Sequence, residues 1–103
     1  MIIWASLSTV GVMSFHSAKA SLADLQVTVG GLIEIVEMPN CDMVVNEEGL
    51  LDDSPLNVHA SRMTGRLIMG NVAFTGTPDR FGNTRKLSAS GLRFLQRYEE
   101  EFL

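Results

Sequence analysis

Residues 21–46 read SLADLQVTVGGLIEIVEMPNCDMVVN, and this stretch contains the signals of both a helix and strands. Ser21 and Asp24 have the spacing of a capping box, which predicts that a helix begins there. Gly30 and Gly31 predict its end, because glycine readily adopts the left-handed conformation of a helix C-cap. Two apolar runs separated by a proline follow, and they predict two strands. These strands are residues 32–38 and 42–46.

The segments on either side predict further strands and two more helices. Ser54 and Pro55 predict the start of a second helix, because serine is a favoured N-cap and proline a favoured first helical residue. Gly65 predicts its end, and Ser88 or Ser90 predicts the start of a last helix. The remaining predicted strands are residues 1–8, 10–15, 66–69 and 71–75.

The order of these elements predicts the fold class. Strands and short helices are mixed without the regular alternation that βαβ units would produce. We therefore predict an α+β protein, a single small domain over residues 1–103. We expect one largely antiparallel or mixed sheet, packed against two or three short helices.

Composition narrows the class of protein further. Of the 103 residues, 46% are apolar, which excludes an intrinsically disordered chain. Cys41 is the only cysteine, so no internal disulfide can form and we expect a reducing compartment, the cytoplasm. Residues 1–20 lack the basic region of a secretory signal and are too polar for a membrane span, so we expect no membrane contact. The formal net charge of −4 argues against generic DNA binding.

Charge is distributed unevenly along the chain. Residues 34–53 contain seven acidic and no basic residues, whereas residues 62–97 contain seven basic residues and one acidic residue. Six of those seven bases are arginine, which binds phosphate and carboxylate through a fork of N–H donors. The pattern fits an ordinary solvated surface, an anion-binding site, or contact between the acidic block of one copy and the basic block of another. The last of these leads us to expect a homo-oligomer.

A series of short motifs resembles a known family. The motifs are VGGLIE at 29–34, VVNEEG at 44–49, PLN at 55–57, GNV at 70–72, TG at 75–76, and Gly82 ahead of Leu87-Ser88. Their order resembles DUF3846, a family of small domains of unknown function, over roughly residues 22–103. Members are carried mainly by bacteriophages, plasmids and related mobile elements. The resemblance therefore implies an accessory protein of such an element acting in bacterial cytoplasm, and it implies no particular activity.

The sequence contains no recognised catalytic or metal-binding motif. Cys41 is not adjacent to His16 or His59, and a lone cysteine is usually inert. The acidic pairs Glu47-Glu48 and Asp52-Asp53 fit a solvated turn and a helix start better than acid–base catalysis. We therefore predict no catalytic residues, no metal site and no cofactor. An enzyme that acts on a nucleotide through Cys41 or His59 is the weakest of the alternatives.

The basic half of the chain supplies the predicted ligand-binding residues. Arginine and lysine neutralise phosphate, and a phenylalanine in the same region can stack on a base. These residues are Arg62, Arg66, Arg80, Phe81, Arg85 and Lys86. We predict a non-catalytic protein that binds and sequesters a small phosphate-bearing ligand, such as a linear or cyclic nucleotide signal of host antiviral defence. The alternative is a protein that inhibits a host enzyme, with the acidic residues 34–53 mimicking the charge of nucleic acid.

Overall fold

Five strands form one sheet in the computed structural model, which describes residues 1–77 and 85–103. The strands are β1 (Trp4–Leu7), β2 (Met13–His16), β3 (Ile33–Glu37), β4 (Asp42–Asn46) and β5 (Val72–Thr75). Their order across the sheet is β2-β1-β5-β4-β3, and every neighbouring pair is antiparallel. With three helices packed on this sheet, the prediction of an α+β domain with a largely antiparallel sheet is confirmed.

The helices begin and end mostly at the residues that the capping signals predicted. They are α1 (Leu22–Val29), α2 (Val58–Thr64) and α3 (Ala89–Phe102). Ser21 and Asp24 form the predicted capping box of α1, and Gly30 ends that helix in the left-handed conformation. Ser88 caps α3 by accepting a hydrogen bond from the backbone of Gly91. Within the described part of the chain, no helix is both long and apolar enough to cross a membrane.

Helix α2 begins later than the sequence predicted. An N-cap at Ser54 followed by Pro55 is wrong, because the N-cap is Asn57. The fully buried Asn57 side chain accepts a hydrogen bond from the backbone N–H of Ala60 at 3.0 Å. The Ser54 hydroxyl instead donates to the carboxylate of Asp52 at 2.6 Å. Ser54 is therefore part of a turn, and the buried amide supplies the cap.

Two predicted strands also differ from the structure. Residues 66–69 form no strand, and their pairing is limited to an isolated bridge between Leu56 and Met69. Strand β2 starts at Met13 because the preceding residues form the turn after β1, in which the N–H of Gly11 donates to the carbonyl of Ser8 at 3.1 Å. Gly11 has a φ of +83°, which explains why glycine occupies this turn.

One face of the sheet is covered by two helices, and we call it the closed face. Here Leu7, Met43 and Phe74 are fully buried. They belong to one apolar cluster with Ala60 of α2 and Leu95 of α3. This cluster is the main hydrophobic core.

The opposite face, which we call the open face, carries a smaller cluster. Its buried members from the sheet are Trp4, Val44 and Ala73, and they pack against Leu25 and Val29 of α1. Helix α1 has eight residues and contacts β3, β4 and β5. It therefore covers one side of the open face and leaves the β1 and β2 side to other segments.

The chain returns to the start of β1 after β5. The backbone N–H of Gly76 donates to the carbonyl of Arg85 at 2.9 Å, and the N–H of Leu87 donates to the carbonyl of Ile3 at 2.8 Å. A side chain at Gly76 would clash with the carbonyl oxygen of Lys86, so the two segments approach as closely as glycine permits. These contacts place residues 85–87 beside the beginning of the sheet.

Candidate functional site

A cavity of about 260 Å³ lies at the end of the open face where β1 begins and β5 ends. Four separate segments of the chain line it: the start of β1, the connection between β2 and α1, the end of β5, and the segment that precedes α3. The lining residues are Ile3, Trp4, Lys19, Ala20, Thr75, Arg85 and Lys86. The cavity therefore combines an apolar wall with three cationic side chains.

The apolar wall is built around Trp4. Only 8% of this side chain is exposed, and it belongs to the buried cluster of the open face together with partly buried Ile3 and Ala20. The small exposed part of this ring, together with Ile3 and Ala20, gives the cavity an apolar side. The wall is also rigid, because its members pack against the helix-covered part of the sheet.

His16 holds the Trp4 ring from the neighbouring strand. The two residues are paired directly across β1 and β2, and their rings stack with centroids 3.9 Å apart and an interplanar angle of 20°. The Nε2 atom of His16 lies 2.9 Å from the hydroxyl oxygen of Ser6. This hydrogen bond and the stacking fix both rings, so that the wall is formed before any ligand arrives.

The cationic side of the cavity comes from two connections. Lys19 lies just before the N-cap of α1, and Arg85 and Lys86 lie in the segment that is hydrogen-bonded to Gly76 and Ile3. All three side chains are exposed. In residues 1–77 and 85–103, the one ion pair within 4.0 Å joins Arg66 to Glu34, so no described carboxylate neutralises the three cations. Among residues 1–77 and 85–103, no carboxylate would therefore compete with a bound anion for these three cations.

Two carboxylates continue the same face of the sheet beyond the cavity. Asp42 is paired with Thr75 on one side and with Glu37 on the other. Asp42 is almost completely buried, and this burial, with a smaller contribution from Glu37, raises the pKa of its carboxyl group. The end of the sheet thus changes from positive at the cavity to negative at β4 and β3.

The structure brings together two of the six predicted ligand-binding residues. Arg85 and Lys86 line the cavity. Arg66 forms its ion pair with Glu34 at 3.2 Å, and the Arg62 guanidinium lies 6.0 Å from the centre of the Phe102 ring. Glu34 pairs with Val45 and so faces the closed side, away from the cavity. The other two predicted residues, Arg80 and Phe81, lie outside the described residues.

Sequence reasoning missed most of the wall. Ile3, Trp4, Ala20 and Thr75 come from a strand start, a connection and a strand end, and no motif links them. Two signals were available, because Trp4 is the only tryptophan and Lys19 is the only lysine or arginine before Arg62. Neither signal indicates a site unless the order of the strands is known.

Cys41, the candidate nucleophile, and the two histidines, the candidate bases, do not form a catalytic group with one another. Cys41 is 1% exposed, and burial raises the pKa of its thiol to about 12, which keeps it protonated at neutral pH. His59 has a different partner, since its Nδ1 atom lies 2.9 Å from the Tyr98 hydroxyl oxygen. Across the described ranges, no cluster of three or more His, Cys, Asp or Glu residues could hold a metal ion.

A second, wider depression of about 800 Å³ lies along α3. Its charged lining residues are two arginines and two glutamates, so it has no net charge that would select an anion. They are Arg93, Arg97, Glu99 and Glu100. The depression is open to solvent, and its aromatic lining residue is Phe94. The cavity on the open face is therefore the stronger candidate for a ligand site.

Comparison with known proteins adds a family to this description. The model of the family described as "Domain of unknown function (DUF3846)" matches residues 9–103. The match includes β2, which lies before the motifs that first indicated the family. The searches of curated proteins and of solved structures each found no match.

Proposed function

The chain belongs to the DUF3846 family, and from that premise we propose that it captures a small phosphate-bearing ligand without transforming it. The family resemblance implies a bacteriophage or another mobile element as the source. In that setting, a nucleotide signal of host antiviral defence is the ligand whose capture would benefit the element. Sequestration takes place in the host cytoplasm and requires affinity alone, without catalytic residues.

One observation carries the proposal: the cavity joins an apolar wall to three cations that no described carboxylate neutralises. Lys19, Arg85 and Lys86 reach it from two different connections, and each can donate charge-assisted hydrogen bonds to phosphate oxygens. Ile3, Ala20 and the exposed part of Trp4 supply an apolar surface that a base can contact. A nucleotide has the matching pair of features, an apolar ring and an anionic group.

The proposed function requires an affinity in the micromolar range or better. A hydrogen bond to a charged group contributes roughly 1.5–3 kcal/mol. Two or three of these bonds and the contact with Trp4 must exceed the cost of immobilising the ligand. A dissociation constant of about 10 μM corresponds to a binding free energy near −7 kcal/mol. We take that value as the threshold for the proposed function.

Calorimetry with a panel of linear and cyclic nucleotides tests the proposal directly. The Lys86→Gln variant is expected to bind the best ligand about tenfold more weakly, because one charge-assisted contact is lost. Arg93→Gln is the matched control, since it removes an equal charge from α3 on the closed side and should leave affinity unchanged. Both variants should melt within a few degrees of the natural chain, because both side chains are exposed.

Two results would remove the proposed function. The first is that no nucleotide binds more tightly than about 10 μM. The second is that Lys86→Gln and Arg93→Gln weaken binding equally, which would mean that overall charge and not the cavity attracts the ligand. Release of a chemically altered nucleotide by the purified protein would replace sequestration with catalysis.

A second candidate function, inhibition of a host enzyme, is favoured by the turn after β4. Glu47, Glu48, Asp52 and Asp53 are all exposed there, and they flank two leucines with exposures of 68% and 82%. Charged groups around exposed apolar side chains suit contact with a basic protein surface. Reversal of the four charges should abolish capture of a stoichiometric host protein while leaving nucleotide binding intact. For a homo-oligomer, the corresponding proposal is that this acidic turn contacts arginines of a second copy. Native mass spectrometry would detect such an oligomer.

A further inference from the structure

We propose that the outer edge of β3 binds an extended, basic segment of another protein, which adds to the sheet as a further strand. The inference is independent of nucleotide capture, because it concerns an edge of the sheet and not the cavity. It gives the second candidate function, contact with a host protein, a binding mode and a chemical class of partner. Three features support it: the backbone of β3, the pattern of its side chains, and an acidic groove beside it.

The backbone of β3 points half of its hydrogen-bonding groups away from the sheet. Among the strands of residues 1–77 and 85–103, β3 is the last in order and pairs with β4 alone. In the same register, the N–H of Met38 donates to the carbonyl of Cys41 at 3.0 Å. Because antiparallel strands bond at every second pair, the even-numbered residues of β3 bond to β4. The N–H and C=O groups of Ile33 and Ile35 therefore point outward, where an added strand can bond to them.

The side chains of β3 specify what the added strand carries. Ile33 and Ile35 lie on the open face, and 41% of Ile35 is exposed. Glu34 lies between them along the strand and on the closed side. Residues directly opposite on neighbouring strands have Cβ atoms about 4.5–5.5 Å apart, and opposite charges stabilise such a pair. A complementary strand therefore alternates apolar residues on the open face with basic residues on the closed side.

A small groove continues this surface beside Glu34. Its lining also includes Glu47, together with Leu50 and Leu67, whose side chains are 68% and 66% exposed. The groove measures about 50 Å³, far below the roughly 300–1,000 Å³ of pockets that hold drug-sized ligands, so it suits a single side chain. Leucines beside carboxylates match the apolar stem and charged head of lysine or arginine. The groove lies toward the start of β3, whereas β5 ends level with the other end of β3.

The charge of this edge favours a basic partner over a second copy of the chain. Glu37, Glu47 and Glu48 are exposed, and Glu34 is half-buried. The cation in the groove lining, Arg66, bonds to Glu34 at 3.2 Å with 51% of its own side chain exposed. Because so exposed a pair contributes little energy, Glu34 can also accept a guanidinium from a partner. Two β3 strands side by side would instead bring glutamates of both copies together.

Titration of the full-length protein with synthetic peptides, followed by NMR, tests the inference. The main probe is a peptide of about eight residues that alternates valine with lysine or arginine, since strands are usually of this length or shorter. It should bind with a dissociation constant of about 100 μM or tighter. Binding should also slow hydrogen exchange at the backbone N–H groups of Ile33 and Ile35. If no such peptide binds, the glutamates only protect the edge from pairing, and the inference is wrong.

Two N-methylated peptides of the same charge are the matched controls. Methylation of the valine nitrogens removes the donors that face β3, because a residue opposite Ile35 exchanges both of its hydrogen bonds with it. Methylation of the lysine and arginine nitrogens blocks N–H groups that face away from β3. The first peptide should bind at least about tenfold more weakly than the second. Equal binding would mean that overall charge attracts the peptides, and it would overturn the inference.

A pair of variants at one position gives an independent check. Ile35→Pro removes an N–H that points away from β4, and edge strands tolerate proline at such a position. Ile35→Thr changes the side chain but keeps the N–H. Peptide binding should weaken about tenfold in Ile35→Pro and less than about threefold in Ile35→Thr. Equal weakening would contradict backbone pairing, and if Ile35→Pro does not fold, the two methylated peptides still decide.

The outcomes also separate this inference from its alternatives. Native mass spectrometry that shows a dimer of the natural chain, lost in Ile35→Pro, would make a second copy the occupant of the edge and overturn the basic partner. Failure of all the peptides would leave nucleotide capture untouched, because no residue of β3 lines the cavity.

Discussion

The closed and open faces of the sheet differ in how completely helices cover them. On the closed face α2 and α3 seal an apolar cluster whose central residues have no exposed surface, among them Leu7, Phe74 and Leu95. On the open face α1 covers the β3 to β5 side, and a cavity remains where β1 begins. The comparison places the main hydrophobic core and the proposed ligand site on opposite sides of one sheet. Residues on the closed face should therefore affect folding, and residues around the cavity should affect binding.

The largest expected effect on the closed face concerns the reactivity of Cys41. Because burial raises the pKa of its thiol from 9.0 to about 12, the reactive thiolate at pH 8 should be about a thousandfold scarcer than in the unfolded chain. Alkylation with iodoacetamide, followed by mass spectrometry, should be slower by about that factor in buffer than in urea. Comparable rates in the two conditions would show that the closed face is not sealed.

The same shift predicts the direction of the pH dependence in alkali. The folded protein holds the thiol proton more tightly than the unfolded chain does, so this contribution to stability is complete below a pH of about 9. It is lost progressively as the pH rises toward about 12. Urea denaturation across that range should therefore show falling stability, and a Cys41→Ala variant should show a smaller fall.

The next largest effect is expected from Leu95→Ala on α3. Leu95 has no exposed surface, and removal of its side chain leaves a hole in the closed cluster. The free energy of unfolding should fall by about 3 kcal/mol, measured by urea denaturation. Leu22→Ala on α1 is the control, because 59% of that leucine is exposed and its loss should cost less than about 1 kcal/mol. Similar losses at the two positions would break the distinction between the faces.

A smaller loss, about 2 kcal/mol, is expected from Asn57→Ala. The Asn57 amide donates to the carbonyls of Leu7 and Gly70 at 3.1 and 3.0 Å, in addition to capping α2. Asn71→Ala serves as the comparison, since its side chain is exposed and accepts a hydrogen bond from the backbone N–H of Thr9. Thermal or urea unfolding of both variants measures the difference, and an equally small effect at the two sites would mean that the buried amide adds nothing beyond a surface contact.

The smallest effect is expected from Ser21→Ala at the start of α1 on the open face. Loss of this exposed cap should cost about 1 kcal/mol near neutral pH. Hydrogen bonds from the Ser21 backbone and side chain lower the pKa of Asp24 below its ordinary value of 3.8. The stability that these bonds provide is therefore complete above pH 3.8. It is lost as the pH falls through the lower pKa that Asp24 has in the folded protein. The stability difference between the variant and the natural chain should therefore shrink on acidification below a pH of about 4, as urea titrations at several pH values would reveal.

Sequence reasoning succeeded where a structural signal and its partner are neighbours in the chain. The capping box at Ser21 and Asp24 and the left-handed Gly30 involve contacts within one turn of helix, so the bounds of α1 followed from local pattern. At α2 the same rules failed. The deciding residue, Asn57, is stabilised by Leu7, which lies 50 positions earlier. No local pattern at Ser54 and Pro55 records that contact.

The same limit explains the partial prediction of the site. Arg85 and Lys86 were identified because basic residues stand out in any sequence, and both line the cavity. Arg66 stands out equally, yet it is paired with Glu34, which is 32 positions away in the chain. Whether a cation is free for a ligand depends on which carboxylate the fold places beside it. Charge counts along the chain do not contain that information.

The amino-acid sequence by itself determined the mixture of helices and strands, the family, and the concentration of positive charge in the second half of the chain. These properties depend on composition, on short periodicities and on contacts between near neighbours. The tertiary structure alone decided that residues 3–4, 19–20, 75 and 85–86 share one cavity. The physical reason is the strand order β2-β1-β5-β4-β3, which sets the last strand beside the first and so joins segments that are distant along the chain.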